Sequence, residues 1–269
     1  MHFFQNRCLI DTNPSLLSVA DAVLFHGPDF GKRPLPPVEL RSPSQRYVFM
    51  TMESPANTVT GKRQNYFNWT MTPLFSSDVI FKYGSFWLTA KDAELRGFKL
   101  DSFPVSDADL VEKVPSLFAL ISNCHTQSKR EDALAELAKY MNVTIAGDCG
   151  KSVADRAICP KENSACVDYV SEKYWDRFDL PSIPIVLRRK DYRNNNIPEK
   201  SIIAMDDYPN AKAMADHLNL LMQDKDAYRE YFAWRRGGWT RAPWNTEGFR
   251  NGYCRLCERL WEKDAPETV

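Results

Sequence analysis

Between Leu117 and Gly147 the sequence passes from one apolar run, Leu117-Phe118-Ala119-Leu120-Ile121, through a polar stretch of helical character at residues 129–140, into a second run, Val143-Thr144-Ile145-Ala146-Gly147. Two buried strands separated by one helix pair in parallel through a crossover, so this segment predicts a βαβ unit. Residues 169–178 then read as helix and Ile183-Pro184-Ile185-Val186-Leu187 as strand. Residues 211–235 place Met214, Leu218, Leu221, Met222, Tyr228, Tyr231 and Phe232 at roughly helical spacing. The expected C-terminal half is therefore doubly wound α/β.

The first half carries short apolar runs at residues 20–25, 47–50, 79–81 and 85–88, each predicted as a strand. Pro28, Pro34, Pro36, Pro37 and Pro43 make the stretch between the first two a loop, because proline lacks an amide donor and fixes its own backbone. The polar stretch 101–115 reads as a linker. With 269 residues the chain suits two domains: the expected division is 1–110 and 116–236, with a Trp- and Arg-rich tail at 237–269 packing back on the body.

Lys plus Arg, at 35, equal Asp plus Glu, at 35, so no global field draws in nucleic acid or an anionic membrane, and an anion site has to be built locally. No apolar run approaches the ~20 residues that span a bilayer, and Met1 to Arg7 lacks the apolar core of a signal peptide, so a soluble chain is expected. The 7 cysteines favour an oxidising compartment. Cys254 and Cys257 form a C-x-x-C without a second pair to complete a zinc set, and disulfide bonding is expected there ahead of metal. Asn68-Trp69-Thr70 and Asn142-Val143-Thr144 are N-glycosylation sequons.

Three positions suggest chemistry. Glu53 follows the second strand, where open α/β sheets face their ligands, the alternative being an ordinary loop carboxylate. Tyr169, Glu172 and Lys173 share a helical face suited to a nucleotide, with Glu on ribose hydroxyls and Lys on phosphate, the alternative being a solvated face over a buried Tyr. Arg130 stands where a strand passes into the helix of the βαβ unit, a natural phosphate position or a plain surface charge. Asp107-Ala108-Asp109 has the D-x-D form of metal-dependent sugar transferases but is expected to cap a short helix. His26 and His125 receive no role. Residues 38–41 and Arg235-Arg236 read as surface charge.

Eight strings, in order, resemble the inverting α-1,3-fucosyltransferases. They are Ala20-Asp21-Ala22-Val23-Leu24-Phe25-His26, Glu53-Ser54-Pro55, Phe67-Asn68-Trp69-Thr70-Met71-Thr72, Ile121-Ser122-Asn123-Cys124, Gly147-Asp148-Cys149-Gly150, Glu162-Asn163-Ser164, residues 168–175 (Asp-Tyr-Val-Ser-Glu-Lys-Tyr-Trp) and residues 228–235 (Tyr-Arg-Glu-Tyr-Phe-Ala-Trp-Arg). The resemblance implies two Rossmann-like domains of GT-B type, the first binding a glycan acceptor and the second GDP-fucose. It implies a Golgi membrane protein with a lumenal catalytic domain, fucosylating N-acetylglucosamine units. Glu53 matches the general base, Arg130 and Lys173 the cations that stabilise the departing diphosphate, and Asn163, Tyr169 and Glu172 further donor contacts. With two cations in those roles no metal is required.

The sequence departs from the pattern in three ways: the cytoplasmic tail, membrane helix and stem are not seen, Pro73-Leu74-Phe75 stands where Tyr-Arg-Arg is usual, and Cys159-Pro160-Lys161 replaces the aromatic strand before Glu162. A donor-side sheet lacking one strand, and hence weak stability and activity, is the resulting expectation. The alternative to a working transferase is a silent paralogue or splice form that only binds a glycan or partner.

Overall fold

The computed structural model describes residues 8–32, 34–58, 65–83, 87–100, 102–111, 116–121, 123–126, 128–150, 170–195, 197–198, 200–241 and 252–262. The chain is mixed α/β with parallel sheets and divides into two compact units, the first comprising residues 1–87, 169–171 and 242–269, the second residues 88–168 and 172–241. The expected missing strand, at residues 151–161, lies outside the described residues.

The first unit is built on four parallel strands in the order β1 (Ala22–His26), β2 (Arg46–Met50), β3 (Trp69–Thr72) and β4 (Val79–Ile80). Ala22 pairs with Arg46, His26 with Met50, and Met50 with Met71. Because side chains alternate, Val48 and Met50 face one way and Tyr47 and Phe49 the other. Val48 joins Trp69, Met71 and Val79 in a core completed by Leu256, with Leu24, Tyr253 and Leu260 packed against it. The helix Gly252–Trp261 thus covers that face. Gly252 is needed for its approach: a Cβ there would stand 2.3 Å from Met71 Cε and 2.6 Å from Phe81 Cβ. The opposite face is covered by rings, Phe25, Tyr47, Phe49, Tyr66 and Phe67 packing at centroid distances of 5.0–5.7 Å. A disulfide from Cys8 to Cys257 fastens the N-terminal segment to the covering helix.

Strand β3 is absent from the sequence-based expectation, and so is the helix at 252–261. The proline-rich connection between β1 and β2 carries short 3-10 turns at Gly27–Asp29 and Val38–Leu40. Gln45, almost fully buried, closes it by donating to the carbonyls of Leu17 and Ala20 at 2.6 and 2.7 Å.

The second unit contains α1 (Ala90–Leu95), α2 (Asp107–Val111), β6 (Leu117–Leu120), α3 (Arg130–Leu137), β7 (Val143–Ala146), α4 (Glu172–Trp175), β8 (Ile185–Val186), β9 (Ile203–Ala204), α5 (Ala211–Gln223) and α6 (Lys225–Glu230). Strand β6 runs parallel to β7, Leu117 opposite Val143, and β8 parallel to β9. The β6–α3–β7 segment is the βαβ unit read from the sequence. Leu117, Leu137, Ile203, Met214, Ala215, Leu218 and Leu221 form the shared core, so α3 and α5 press on the strand pairs. The long helical stretch breaks at Asp224, which ends α5 and caps α6 by accepting from the amides of Asp226 and Ala227 at 3.0 and 2.9 Å.

The stretch expected as a linker belongs to this unit. Val105 and Leu110 pack on Phe232, and the strand β5 (Trp87–Thr89) pairs with β10 (Trp239–Arg241). The division between units consequently falls at Trp87 rather than near residue 110, and the segment from 242 onward goes with the first unit. No described helix is long and apolar enough to cross a membrane.

Gly252→Ala tests the helix cover. Overpacking against Met71 and Phe81 is expected to destabilise the protein by about 1–3 kcal/mol, read as a lower urea midpoint. An unchanged midpoint would show that the helix can lift off without cost.

Candidate active site

Strand β2 ends at Met50, and the next four residues are tied down almost group by group. Thr51 N donates to Met71 O at 3.2 Å, extending the ladder to β3. Thr51 Oγ1 accepts from Glu53 N at 3.0 Å, and Met52 O accepts from the Tyr83 hydroxyl at 3.0 Å. Ser54 O accepts from Asn57 N at 2.9 Å and from Thr58 Oγ1 at 2.8 Å. The Glu53 residue itself is exposed. The structure thus presents a carboxylate on a fixed backbone at the C-terminal edge of a parallel sheet, where such sheets take ligands.

One strand over, at the end of β1, His26 Nδ1 lies 2.7 Å from Asp29 Oδ2, and Lys32 Nζ donates to Asp29 Oδ1 at 2.8 Å. Those two bonds, His26 first, hold the Asp29 carboxyl down to about 2.

In the second unit the ends of β6 and β7 are joined by a disulfide between Cys124 and Cys149. Gly147, at φ +86°, makes the turn after β7 that an L side chain would oppose. Cys149 N donates to Ile121 O at 3.1 Å. Arg130 is the first residue of α3, and its Nη2 donates to Asn123 O at 3.1 Å. Its Nε is buried with no partner among the described residues. Burial pulls the guanidinium below its ordinary pKa, partly offset by Glu131, yet it stays a cation. Glu131 is occupied by Thr126, whose amide and hydroxyl donate to its two carboxylate oxygens at 2.8 and 2.7 Å. The Thr126 bond lowers the Glu131 carboxyl, so it stays ionised next to Arg130.

Lys173 lies half-buried on α4, and the residues after it anchor the helix. Tyr174 and Trp175 are buried, and the Tyr174 hydroxyl is 2.6 Å from Ser201 Oγ, which donates to Pro198 O at 2.7 Å. Arg235, 3% exposed, donates to the carbonyls of Phe178 at 2.5 Å, Leu180 at 2.6 Å and Asp179 at 3.3 Å. Its guanidinium lies 4.7 Å from the centre of the Phe232 ring. A cation thereby closes the carbonyl-rich turn that follows α4.

Of the other expected donor contacts, Glu172 opens α4, while Asn163 and Tyr169 lie outside the described residues. The D-x-D carboxylates serve structure: Asp107 pairs with Arg229, and Asp109 Oδ2 accepts from Ser106 N at 2.7 Å and Ser106 Oγ at 2.6 Å. No cluster of three metal-capable side chains occurs among the described residues. Cys257 is bonded to Cys8, not to Cys254. Asn142 is exposed, whereas Asn68 is half-buried and its Oδ1 accepts from Tyr47 N at 2.8 Å and from Arg41.

Two residues expected as surface charge are not. Arg235 is the buried cap of the turn after α4. Arg41 is half-buried, bonded to Asn68 and set 4.8 Å from the centre of the Tyr47 ring. The aromatic neighbours Phe232 and Trp234 were the available signal for Arg235, since a guanidinium among rings is commonly stacked.

Comparison with known proteins fits this layout. The pattern described as "Fucosyltransferase, N-terminal" matches residues 2–84, and "Glycosyltransferase family 10 (fucosyltransferase) C-term" matches residues 110–269. The α-(1,3)-fucosyltransferase fut-6 of Caenorhabditis elegans is 32% identical over 97% of this chain and 69% of its own length. The related fut-5 of the same organism is 29% identical over 95% and 70%. The α-(1,3)-fucosyltransferase C of Drosophila melanogaster is 30% identical over 97% and 66%. The chain belongs to glycosyltransferase family 10, the fucosyltransferases. It is an α-1,3-fucosyltransferase-like glycosyltransferase, and the family implies a nucleotide-sugar donor and a glycan acceptor.

The Cys124–Cys149 bond, closing a sequence separation of 25 residues, is the staple of the Arg130 loop. Replacing both cysteines by serine is expected to lower stability by about 3 kcal/mol and to speed amide exchange at residues 123–131. Unchanged exchange there would mean that the Thr126–Glu131 bonds hold the loop alone.

Proposed function

We propose that the chain transfers fucose from GDP-fucose to N-acetylglucosamine of a glycan, with inversion, in protein glycosylation. The observation that supports this reading best is Glu53: an exposed carboxylate whose flanking backbone is bonded on both sides at the C-terminal edge of a parallel sheet. Glu53 removes the proton from the acceptor hydroxyl. The freed oxygen forms a bond to the anomeric carbon from the face opposite GDP, and the bond from that carbon to the diphosphate oxygen breaks, its electron pair leaving on GDP. Arg130 and Lys173 offset the charge that develops there, with Glu172, Tyr169 and Asn163 as further donor contacts. No metal is required on this reading, because two fixed cations supply the stabilisation a metal would.

The arrangement is of GT-B type, with the first unit on the acceptor side and the second on the donor side. The setting is the Golgi lumen, with membrane anchoring as in the family and glycans on Asn142 and Asn68. The disulfides Cys8–Cys257 and Cys124–Cys149 agree with an oxidising lumen. A second reading, a silent relative that only binds a glycan or partner, is favoured by Pro73-Leu74-Phe75, which carries no cation where two are usual.

Glu53→Gln is expected to retain GDP binding and to slow transfer by ~10²–10⁴-fold, measured with labelled GDP-fucose on a glycan array. Near-normal turnover would remove Glu53 from the mechanism, and no transfer by the unmodified chain would favour the silent relative. Arg130→Ala and Lys173→Ala are each expected to weaken GDP more than guanosine in calorimetry, since their partner is phosphate. Equal losses on the two ligands would count against a phosphate role.

A further inference from the structure

A proton can be taken only by a carboxylate held within about 2.6–3.2 Å of it, and an exposed glutamate with freely turning side-chain bonds does not hold itself there. The placing has to come from the backbone. Thr51 is 3% exposed, and its amide is fixed to Met71 O. Its hydroxyl oxygen accepts from the Glu53 amide at 3.0 Å, a local turn that binds residue 53 to a residue belonging to the β2–β3 ladder. The Thr51 side chain is itself set against the loop after β1. A Cβ on Gly27 would stand 3.0 Å from Thr51 Cβ, 3.1 Å from Phe49 Cζ and 3.3 Å from Met50 O. Gly27 is thus the floor that gives Thr51 its place, and a methyl group there has rigid strand backbone on one side and a branched Cβ on the other.

We propose that Thr51, seated on Gly27, is the positioning residue for Glu53. The inference rests on Glu53 acting as the base. Thr51 is not catalytic: it is buried, and its hydroxyl oxygen is engaged with the Glu53 amide. The sheet does not need this bond either, since β2 ends at Met50 and the Thr51 amide, not its hydroxyl, extends the ladder. Among the described residues the hydroxyl bonds to residue 53 alone.

Thr51→Val keeps the branched shape and removes the hydroxyl. It is expected to lower kcat by roughly 10- to 100-fold, the scale of a small misplacement of a reacting group, with KM for the donor and GDP affinity unchanged. Thr51→Ser, which keeps the oxygen, is expected to restore most of the rate. Gly27→Ala, approaching from β1, is expected to give the same split between kcat and KM. A Val variant within twofold of the parent kcat overturns the proposal, as does a Ser variant no better than Val. Loss of GDP binding together with activity in Thr51→Val also overturns it, because that is the mark of general disruption. Glu53→Gln run alongside separates the two failures. Slow Glu53→Gln with normal Thr51→Val rejects positioning alone, whereas normal Glu53→Gln rejects the base.

Discussion

A parallel sheet exposes no face it can leave to water, so something must lie on each side of it. In the first unit the two covers come from distant parts of the sequence. One is the aromatic set formed by Phe25, Tyr47, Phe49, Tyr66 and Phe67; the other is the helix Gly252–Trp261, some 170 residues beyond β4. The helix sits close because residue 252 has no side chain, and Cys8–Cys257 ties it to the N-terminal segment. The C-terminal edge of the sheet, which carries Thr51, Glu53, His26 and Asp29, is only as rigid as those covers make the strands. Gly252, far from Glu53 in sequence, therefore presses on the strands of the same sheet that Glu53 follows.

Two arginines show how one residue type is put to opposite uses. Arg235 is buried and its guanidinium is turned onto three carbonyls after α4, so its donors serve the fold. Burial lowers its pKa, an effect the nearby Asp179 and Asp109 carboxylates partly offset, while its donors satisfy the carbonyls. Arg130 is half-buried and gives one bond to Asn123 O, leaving donors in hand among the described residues. A cation with spare donors at the start of a helix, beside a loop locked by a disulfide, is suited to receive phosphate oxygens. Arg235 holds the frame, and through α4 it bears on Lys173.

Much of the frame was legible. The βαβ segment, the strands at β1, β2, β4 and β8 and the periodicity of α5 all show in runs or spacing, because burial on both faces demands continuous apolar residues. Strand β3 did not show, since Trp69-Thr70-Met71-Thr72 is too short and too broken by threonine to make an apolar run and begins beside Asn68, which acts as a bridge to β2 rather than a turn residue. The helix at 252–261 has Tyr253, Leu256, Cys257 and Leu260 at helical spacing but sits in a stretch crowded with Arg and Trp. The split at Trp87 was hidden because a polar stretch can pack as well as link, which this one does through Val105 and, on α2, Leu110. Of the candidate site, residue types marked Glu53, Arg130 and Lys173. What holds them, namely Thr51, the Cys124–Cys149 bond and Arg235, depends on distant contacts that no local pattern records.

On the proposed reading the two halves of the chemistry reside on different units: the carboxylate on the first, the cations on the second. Within one unit, Arg130 next to a carboxylate as basic as a catalytic base needs to be would pair with it, and the base would lose the proton affinity on which its work depends. The carboxylate that does stand beside Arg130, Glu131, is already engaged by Thr126, whose bonds lower its proton affinity. Glu53, by contrast, has its amide fixed and its carboxylate left to solvent. On the proposed reading, the local bonding of the two carboxylates gives them different parts: Glu131 is committed to Thr126, and Glu53 is left to meet the acceptor hydroxyl.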